Sequence, residues 1–209
     1  MYFSRVFLDT KKKSTMLSLR NLAEFHRNVE SCFESYDGNH RPHHVWRLDN
    51  LGSDTVLLLM SEDKPHLDDF ARDYGKSGKQ PEVKSFDGMR SMLDSDRVWH
   101  FRVRVNPVYT TTDENGKKKI YGHVTVKQQT DWFLKRAEGW GFSVVGDVSL
   151  THRHIYRFQK DSNSEHVITL STCVFDGCLR VTDTDLFWKT LTYGIGRGKA
   201  YGCGLFTIL

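Results

Sequence analysis

Proline, cysteine and long apolar runs are all scarce in this sequence, and each scarcity removes a class of protein. Four prolines among 209 residues argue against Pro-rich linkers and extended disorder. The longest apolar run is Val56-Leu57-Leu58-Leu59-Met60, far below the ~20 residues that a membrane-spanning helix needs. Arg5, Asp9 and Lys11 to Lys13 interrupt any signal-peptide core near the start. Four cysteines (Cys32, Cys173, Cys178 and Cys203) make no CxxC pair and no Cys/His set with zinc spacing. Buried thiols in a reducing compartment are expected, hence a cytoplasmic protein with no membrane association. Cys173 and Cys178 flank Val174-Phe175-Asp176-Gly177, which reads as a turn between two strands. What is present is ordinary for a folded chain: 38% hydrophobic and 27% charged residues, in a length that suits one large domain or two small ones.

The net charge is only +4, but it is unevenly placed. Residues 1 to 96 carry 14 Lys/Arg against 16 Asp/Glu, residues 97 to 160 carry 12 against 5, and the remainder 4 against 5. The whole positive surplus therefore lies in one central block. Such a block is either a solvated face or a phosphate-binding surface, where Lys and Arg gain affinity by counterion release.

Hydrophobic periodicity gives the order of elements. A strand over 2–8 precedes a helix over 15–33, strands over 43–48 and 55–60, a short helix over 67–74 and a weak strand over 82–86. A second round follows: a strand over 98–105, a loop over 110–119, a strand over 120–126 and a helix over 127–138. Strands over 142–150, 152–159 and 166–181 come next, the last folding back at Asp176-Gly177. A helix over 183–193 and a strand over 203–209 close the chain. Each half reads βαββαβ, the second with an inserted hairpin. The expected class is α+β: two tandem ferredoxin-like modules with antiparallel sheets, residues 1–90 and 91–209.

The least ordinary local sequence is Gly194-Ile195-Gly196-Arg197-Gly198-Lys199-Ala200-Tyr201-Gly202-Cys203-Gly204. It follows a helix and precedes a strand, so it is neither a dinucleotide fingerprint nor a P-loop. Its backbone N–H groups, with Arg197 and Lys199 between them, can hold phosphates; a tight turn feeding an edge strand is the alternative. Neither His152-x-His154 nor the adjacent His43-His44 has a carboxylate or cysteine set to complete a metal site, so surface histidines are the expected reading and no metal or other cofactor is expected. No nucleophilic serine elbow is present either.

Several segments together resemble the CasE-type CRISPR repeat-processing endoribonucleases of the RAMP superfamily. They are Met1-Tyr2-Phe3-Ser4-Arg5-Val6, Phe25-His26-Arg27, Trp46-Arg47-Leu48, Phe101-Arg102-Val103-Arg104-Val105-Asn106-Pro107, Trp132-Phe133-Leu134-Lys135-Arg136 and the terminal glycine-rich run. The resemblance covers nearly the whole chain. It implies two ferredoxin-like domains and metal-free cleavage of CRISPR precursor RNA at the base of the repeat stem-loop. It also implies retention on the product within the Cascade complex, whose other subunits and target DNA are met indirectly, and a monomer when free. His26 occupies the place of the family's catalytic histidine. Imidazole can act as acid or base near neutral pH, which 2′-hydroxyl attack on phosphate requires. Where many relatives carry a tyrosine three residues before that histidine, this chain has Ala23.

The remaining site candidates concern RNA. Arg27 adjoins His26 and is given an electrostatic role. Arg102 and Arg104 share one strand face. Lys127, Lys135 and Arg136 lie on the second-module helix, and Arg153, Arg157 and Lys160 on the hairpin that the resemblance places against the RNA stem. Gly196, Arg197, Gly198 and Lys199 are phosphate candidates. Lys117-Lys118-Lys119 is either a further contact or a solvated loop. Contacts to duplex RNA should be mainly to phosphate and shape. Two readings stay open: a stem-loop-specific endoribonuclease, and, because of Ala23, a non-catalytic scaffold capping the guide RNA. A RAMP-fold binder outside CRISPR is a remote third.

Overall fold

Strict alternation along β1 (Tyr2–Leu8) turns Ser4, Val6 and Leu8 inward and fixes the face on which the first module builds its core. The structure is a computed structural model that describes residues 1–34, 41–93, 96–160 and 167–209. The strand β1 lies between β3 (Asp54–Ser61) and β4 (Glu82–Ser85), and β3 also pairs with β2 (His44–Leu51), all antiparallel. The sheet order is β2-β3-β1-β4.

The helix expected over 15–33 is two helices, α1 (Lys13–Arg20) and α2 (Leu22–Glu30). Asn21 divides them: its backbone is extended, with φ −126° and ψ 104°, and its side chain accepts the N–H groups of Ala23 and Glu24. An asparagine that satisfies otherwise orphaned amides is a favoured helix start. The restart buries Leu22, Ala23, Phe25 and Val29. A third helix, α3 (Asp68–Tyr74), stops at Gly75 as expected.

The second module repeats the plan. Its main sheet combines β5 (Val98–Val105), β8 (Phe142–Gln159), β9 (Val167–Val181) and β10 (Phe206–Ile208) in the order β10-β5-β9-β8. In both sheets the first strand sits between the third and fourth, which is the ferredoxin-like arrangement. The helices α4 (Val126–Leu134) and α5 (Thr184–Tyr193) cover this sheet, and α4 starts on a Thr125–Gln128 capping box. Phe101, Phe133, Phe142, Phe175, Phe187 and Phe206 fill its core.

Four expectations change. The segment read as a loop is a hairpin of β6 (Val108–Thr112) and β7 (Lys118–Gly122), so the expected strand over 120–126 is displaced toward the hairpin turn. The two strands read over 142–150 and 152–159 are one strand, β8, bulged between Val145 and Ser149 and again between Leu150 and His152. There is no fold-back at Asp176-Gly177; β9 runs straight through both residues. Glycine is needed there for closeness rather than for turning, because a Cβ would lie 3.0 Å from the Phe101 ring. The helix α4 ends at Leu134, and residues 138–140 form a separate 3-10 turn. Residue 166, read as the start of a strand, lies outside the described residues.

The modules are joined by polar and apolar contacts. Arg47 on β2 exposes 1% of its surface. It donates to both Asp49 carboxylate oxygens, to the carbonyls of Arg102 and Leu205, and to Thr207 Oγ1, all at 2.7–2.8 Å. Phe158 on β8 and Leu170 on β9 are buried in the same cluster as Val6, Phe25 and Leu59, so the β8–β9 hairpin completes the core of the first module.

Candidate active site

The break at Asn21 sets the rotation of α2. With Phe25 and Val29 inward, His26 and Glu30 share the flank one turn apart. His26 exposes 19% of its side chain, and its Nε2 lies 3.3 Å from Glu30 Oε1. From the first strand-turn of β2, His44 brings its own Nε2 to 3.0 Å from the same oxygen, in a geometry that is not a hydrogen bond. The two imidazoles are 5.7 Å apart at their centroids. The Nδ1 of His26 is buried without a hydrogen-bond partner. Arg41 forms an ion pair with Glu30 from the solvent side. Burial holds the His26 imidazole below its ordinary value against the opposing pull of Glu30, and pushes His44 down to about 4. Burial thus favours the neutral form of His26, the form in which an imidazole can accept a proton.

The second module closes over this flank. The glycine-rich segment reaches α2 and β2, placing the Tyr201 ring 6.4 Å from that of His26, edge to face. His26, Glu30, Arg41, Pro42, His43, His44 and Ala200 line an open pocket of about 220 Å³. Glycine is required at 202, where φ is +75° and a Cβ would meet the Trp46 ring at 2.7 Å. Several amides of the segment serve its own architecture: Ile195 donates to Gly204, Tyr201 and Cys203 to Gly198, and Gly204 to Arg104. Those N–H groups are therefore not turned to a ligand, and the tight-turn alternative describes them. Gly196 and Arg197 are exposed, and Gly198 and Lys199 half-buried. The Lys199 ammonium donates to the Tyr193 carbonyl.

The basic candidates divide. Lys160 and Arg157 are exposed at the end of the β8–β9 hairpin, and Arg153 is exposed further along, donating to the Val124 carbonyl. Arg27 donates to the Lys160 carbonyl, so the end of β8 is tied to α2, the helix that carries His26. Lys127, Lys135 and Arg136 are exposed at the two ends of α4, Lys127 paired with Asp131. Arg102 and Arg104 share a face as expected, but that face looks into the junction between modules. Arg102 forms a two-pronged pair with Asp176, and Arg104 donates to the Leu48 carbonyl. A cavity of about 650 Å³ opens there. It is larger than the His26 pocket, but three of its four cations are paired with Glu82, Asp49 and Asp176, which leaves only the charge of Lys84 to attract a polyanion. Lys118 and Lys119 lie on β7, exposed.

One sequence expectation needs correction. His43-His44 does have a carboxylate at hand, since Glu30 and His26 lie beside His44. Together they form the one group of three metal-capable side chains among the described residues. The signal available was the His26–Glu30 spacing of four on one helix. The approach of His44 is a tertiary contact with no local trace. Tyr201 and Arg41 were missed for the same reason. His152 and His154 are exposed and stacked on one another.

The profile of the CRISPR associated protein family matches residues 1–209. The chain belongs to that family. It is 24% identical over 222 residues to the CRISPR-associated endoribonuclease Cse3 of Thermus thermophilus, covering 100% of this chain and 99% of that one. Against the Cascade subunit CasE of Escherichia coli it is 28% identical over 114 residues, 52% of this chain and 56% of the relative. A solved structure of Cse3 bound to a 19-nucleotide RNA superposes with a TM-score of 0.83 at 22% identity, over 100% of both chains. The two-module architecture of this CasE-type member is thus that of the RNA-bound relative. No helix among the described residues is long and apolar enough to cross a membrane.

Proposed function

We propose that this chain is a metal-independent endoribonuclease that cuts CRISPR precursor RNA at the base of the repeat stem-loop and stays on the product as a Cascade subunit. The observation that carries the reading is the placement of His26. It is a half-buried imidazole on α2, held below its ordinary pKa by burial, facing a pocket that Ala200 of the glycine-rich segment helps to line, with the Arg27 cation close enough to act on it. The names of the relatives, an RNA-bound endoribonuclease and a Cascade subunit, support it. The stem lies along the β8–β9 hairpin and α4, held mainly through phosphates. The RNA 2′-oxygen attacks the adjacent phosphorus and gives up its proton. A pentacoordinate phosphorane forms, and the 5′-oxygen leaves with a proton, giving a 2′,3′-cyclic phosphate and a 5′-hydroxyl. His26 transfers a proton in this sequence, and Arg27 with the glycine-rich segment (exposed Gly196 and Arg197, half-buried Gly198 and Lys199) offsets the developing charge.

Incubation with the cognate repeat RNA in EDTA tests this. The wild type cleaves, and His26→Ala slows cleavage by about 10²–10⁴-fold, the usual contribution of a positioned acid or base, while RNA binding is retained. Ala23 favours the second reading, a scaffold that caps the guide RNA. A methyl group 5% exposed takes no part in proton transfer. Tight binding by the wild type without cleavage would establish the scaffold instead.

A further inference from the structure

We propose that His26, Glu30 and His44 form a binding site for a divalent transition ion of the zinc class, and that an ion held there switches cleavage off. The switch rests on the reading above, in which His26 moves a proton; the site itself does not. Two imidazole nitrogens and one carboxylate oxygen converge from α2 and β2, with all three ligand atoms within 4.8 Å of one another. Zinc bonds to nitrogen and oxygen run about 2.0–2.2 Å, so the edges of a tetrahedral site are about 3.3 Å long. The two measured edges through Glu30 Oε1 are 3.3 Å and 3.0 Å. The third edge, between the two imidazole nitrogens, is at most 4.8 Å. The donor set of two nitrogens and one oxygen suits zinc, nickel or copper and is poor for magnesium or calcium. Three protein ligands leave a fourth position open to water or a phosphate oxygen, and the site opens to solvent through the pocket beside Ala200.

The arrangement also lacks something that a cation supplies. His44 Nε2 faces the carboxylate at 3.0 Å without a hydrogen bond. A metal ion would take up the lone pair of His44 and the charge of Glu30 together. The competing cation is Arg41, 53% exposed, on the same Glu30 oxygen. Its guanidinium must swing outward when the ion enters, so it weakens the site without blocking it. An ion on His26 occupies the lone pair through which that ring would accept a proton, which makes the expected effect inhibition.

The RNA-free full-length protein is titrated with Co²⁺. An intense visible band of four-coordinate cobalt, absent from the aqua ion, should saturate at one equivalent. Glu30→Gln should weaken cobalt binding by about 100-fold, at or beyond the upper end of what losing an outer partner costs. Arg41→Gln should tighten it by up to about fivefold, because the exposed Arg41–Glu30 pair that the ion must displace is worth at most about 1 kcal/mol. Circular dichroism checks that each variant is folded. In the cleavage assay Zn²⁺ should stop the wild type and EDTA should restore it. Absence of the cobalt band overturns the site, as does a band unchanged in Glu30→Gln. Cleavage that is unaffected or accelerated by bound Zn²⁺ overturns the switch. Absence of cleavage in EDTA overturns the endoribonuclease reading, while the cobalt band still decides the site.

Discussion

Replacing Arg47 with methionine roughly keeps the side-chain length and removes every polar contact that the guanidinium makes between the modules. The loss can be worked from the structure. Asp49, whose side chain is 9% exposed, is left without its cation, and the Arg102 and Leu205 carbonyls lose a donor. Breaking one side of a buried ion pair costs about 3–5 kcal/mol, and loss of the donor to the buried Leu205 carbonyl adds to it, whereas the Arg102 carbonyl keeps Thr207 Oγ1. For a chain of this size 1 kcal/mol moves the melting temperature by about 2–4 °C, so Arg47→Met should melt roughly 6–20 °C lower. Differential scanning calorimetry measures this directly. Arg47→Met with Asp49→Leu should recover at least about 2 kcal/mol, because removing both charges removes the uncompensated one. A cost below about 1 kcal/mol for the single variant, the range of an exposed pair, would refute the reasoning. So would a double variant no more stable than the single.

The remaining expectations are narrower. Arg157→Ala should weaken RNA binding and flatten its log–log salt dependence by about one unit, whereas Arg102→Ala, whose cation is already matched by Asp176, should leave the slope unchanged; equal effects in a filter-binding titration would contradict this assignment. Gly202→Ala drives a Cβ into the Trp46 ring at a positive φ and should cost about 1–3 kcal/mol, with slower cleavage because the roof over His26 is displaced; wild-type stability on urea unfolding would count against it. Burial pushes the thiols of Cys32, Cys173 and Cys203 up to about 12, so the native protein should react with a thiol reagent at Cys178 alone, and labelling of the other three before unfolding would show the core to be open.

The sequence carried the architecture because repetition did much of the work. Two rounds of the same strand and helix order, each with apolar periodicity of the right kind, leave few folds to choose from. It failed where one residue has two local meanings. Asp176-Gly177 looks like a turn, yet the missing side chain serves the Phe101 ring and the carboxylate serves Arg102, both decided by partners more than 70 residues away. Asn21 sat inside an amphipathic pattern that continues across it, and its capping role shows only in the backbone. The alternation of Arg102 and Arg104 correctly gave them one face, but alternation does not say whether that face meets solvent or another sheet. His26 was readable through the family resemblance. Its neighbours Glu30, His44 and Tyr201 belong to three different elements or turns of the chain, and only folding brings them to one place.

The burial of Phe158 and Leu170 among first-module side chains bears on how the molecule comes apart. A chain cut near the seam would strip the amino-terminal half of part of its own interior and leave Phe158 and Leu170 of the β8–β9 hairpin in water. The halves are copies of one plan in topology but not in autonomy. The hairpin that carries Arg157 and Lys160 cannot peel away without exposing the helix that carries His26. Order in the grip on RNA and order in the cutting centre are thus maintained by the same few side chains, and a loss of one is felt as a loss of the other.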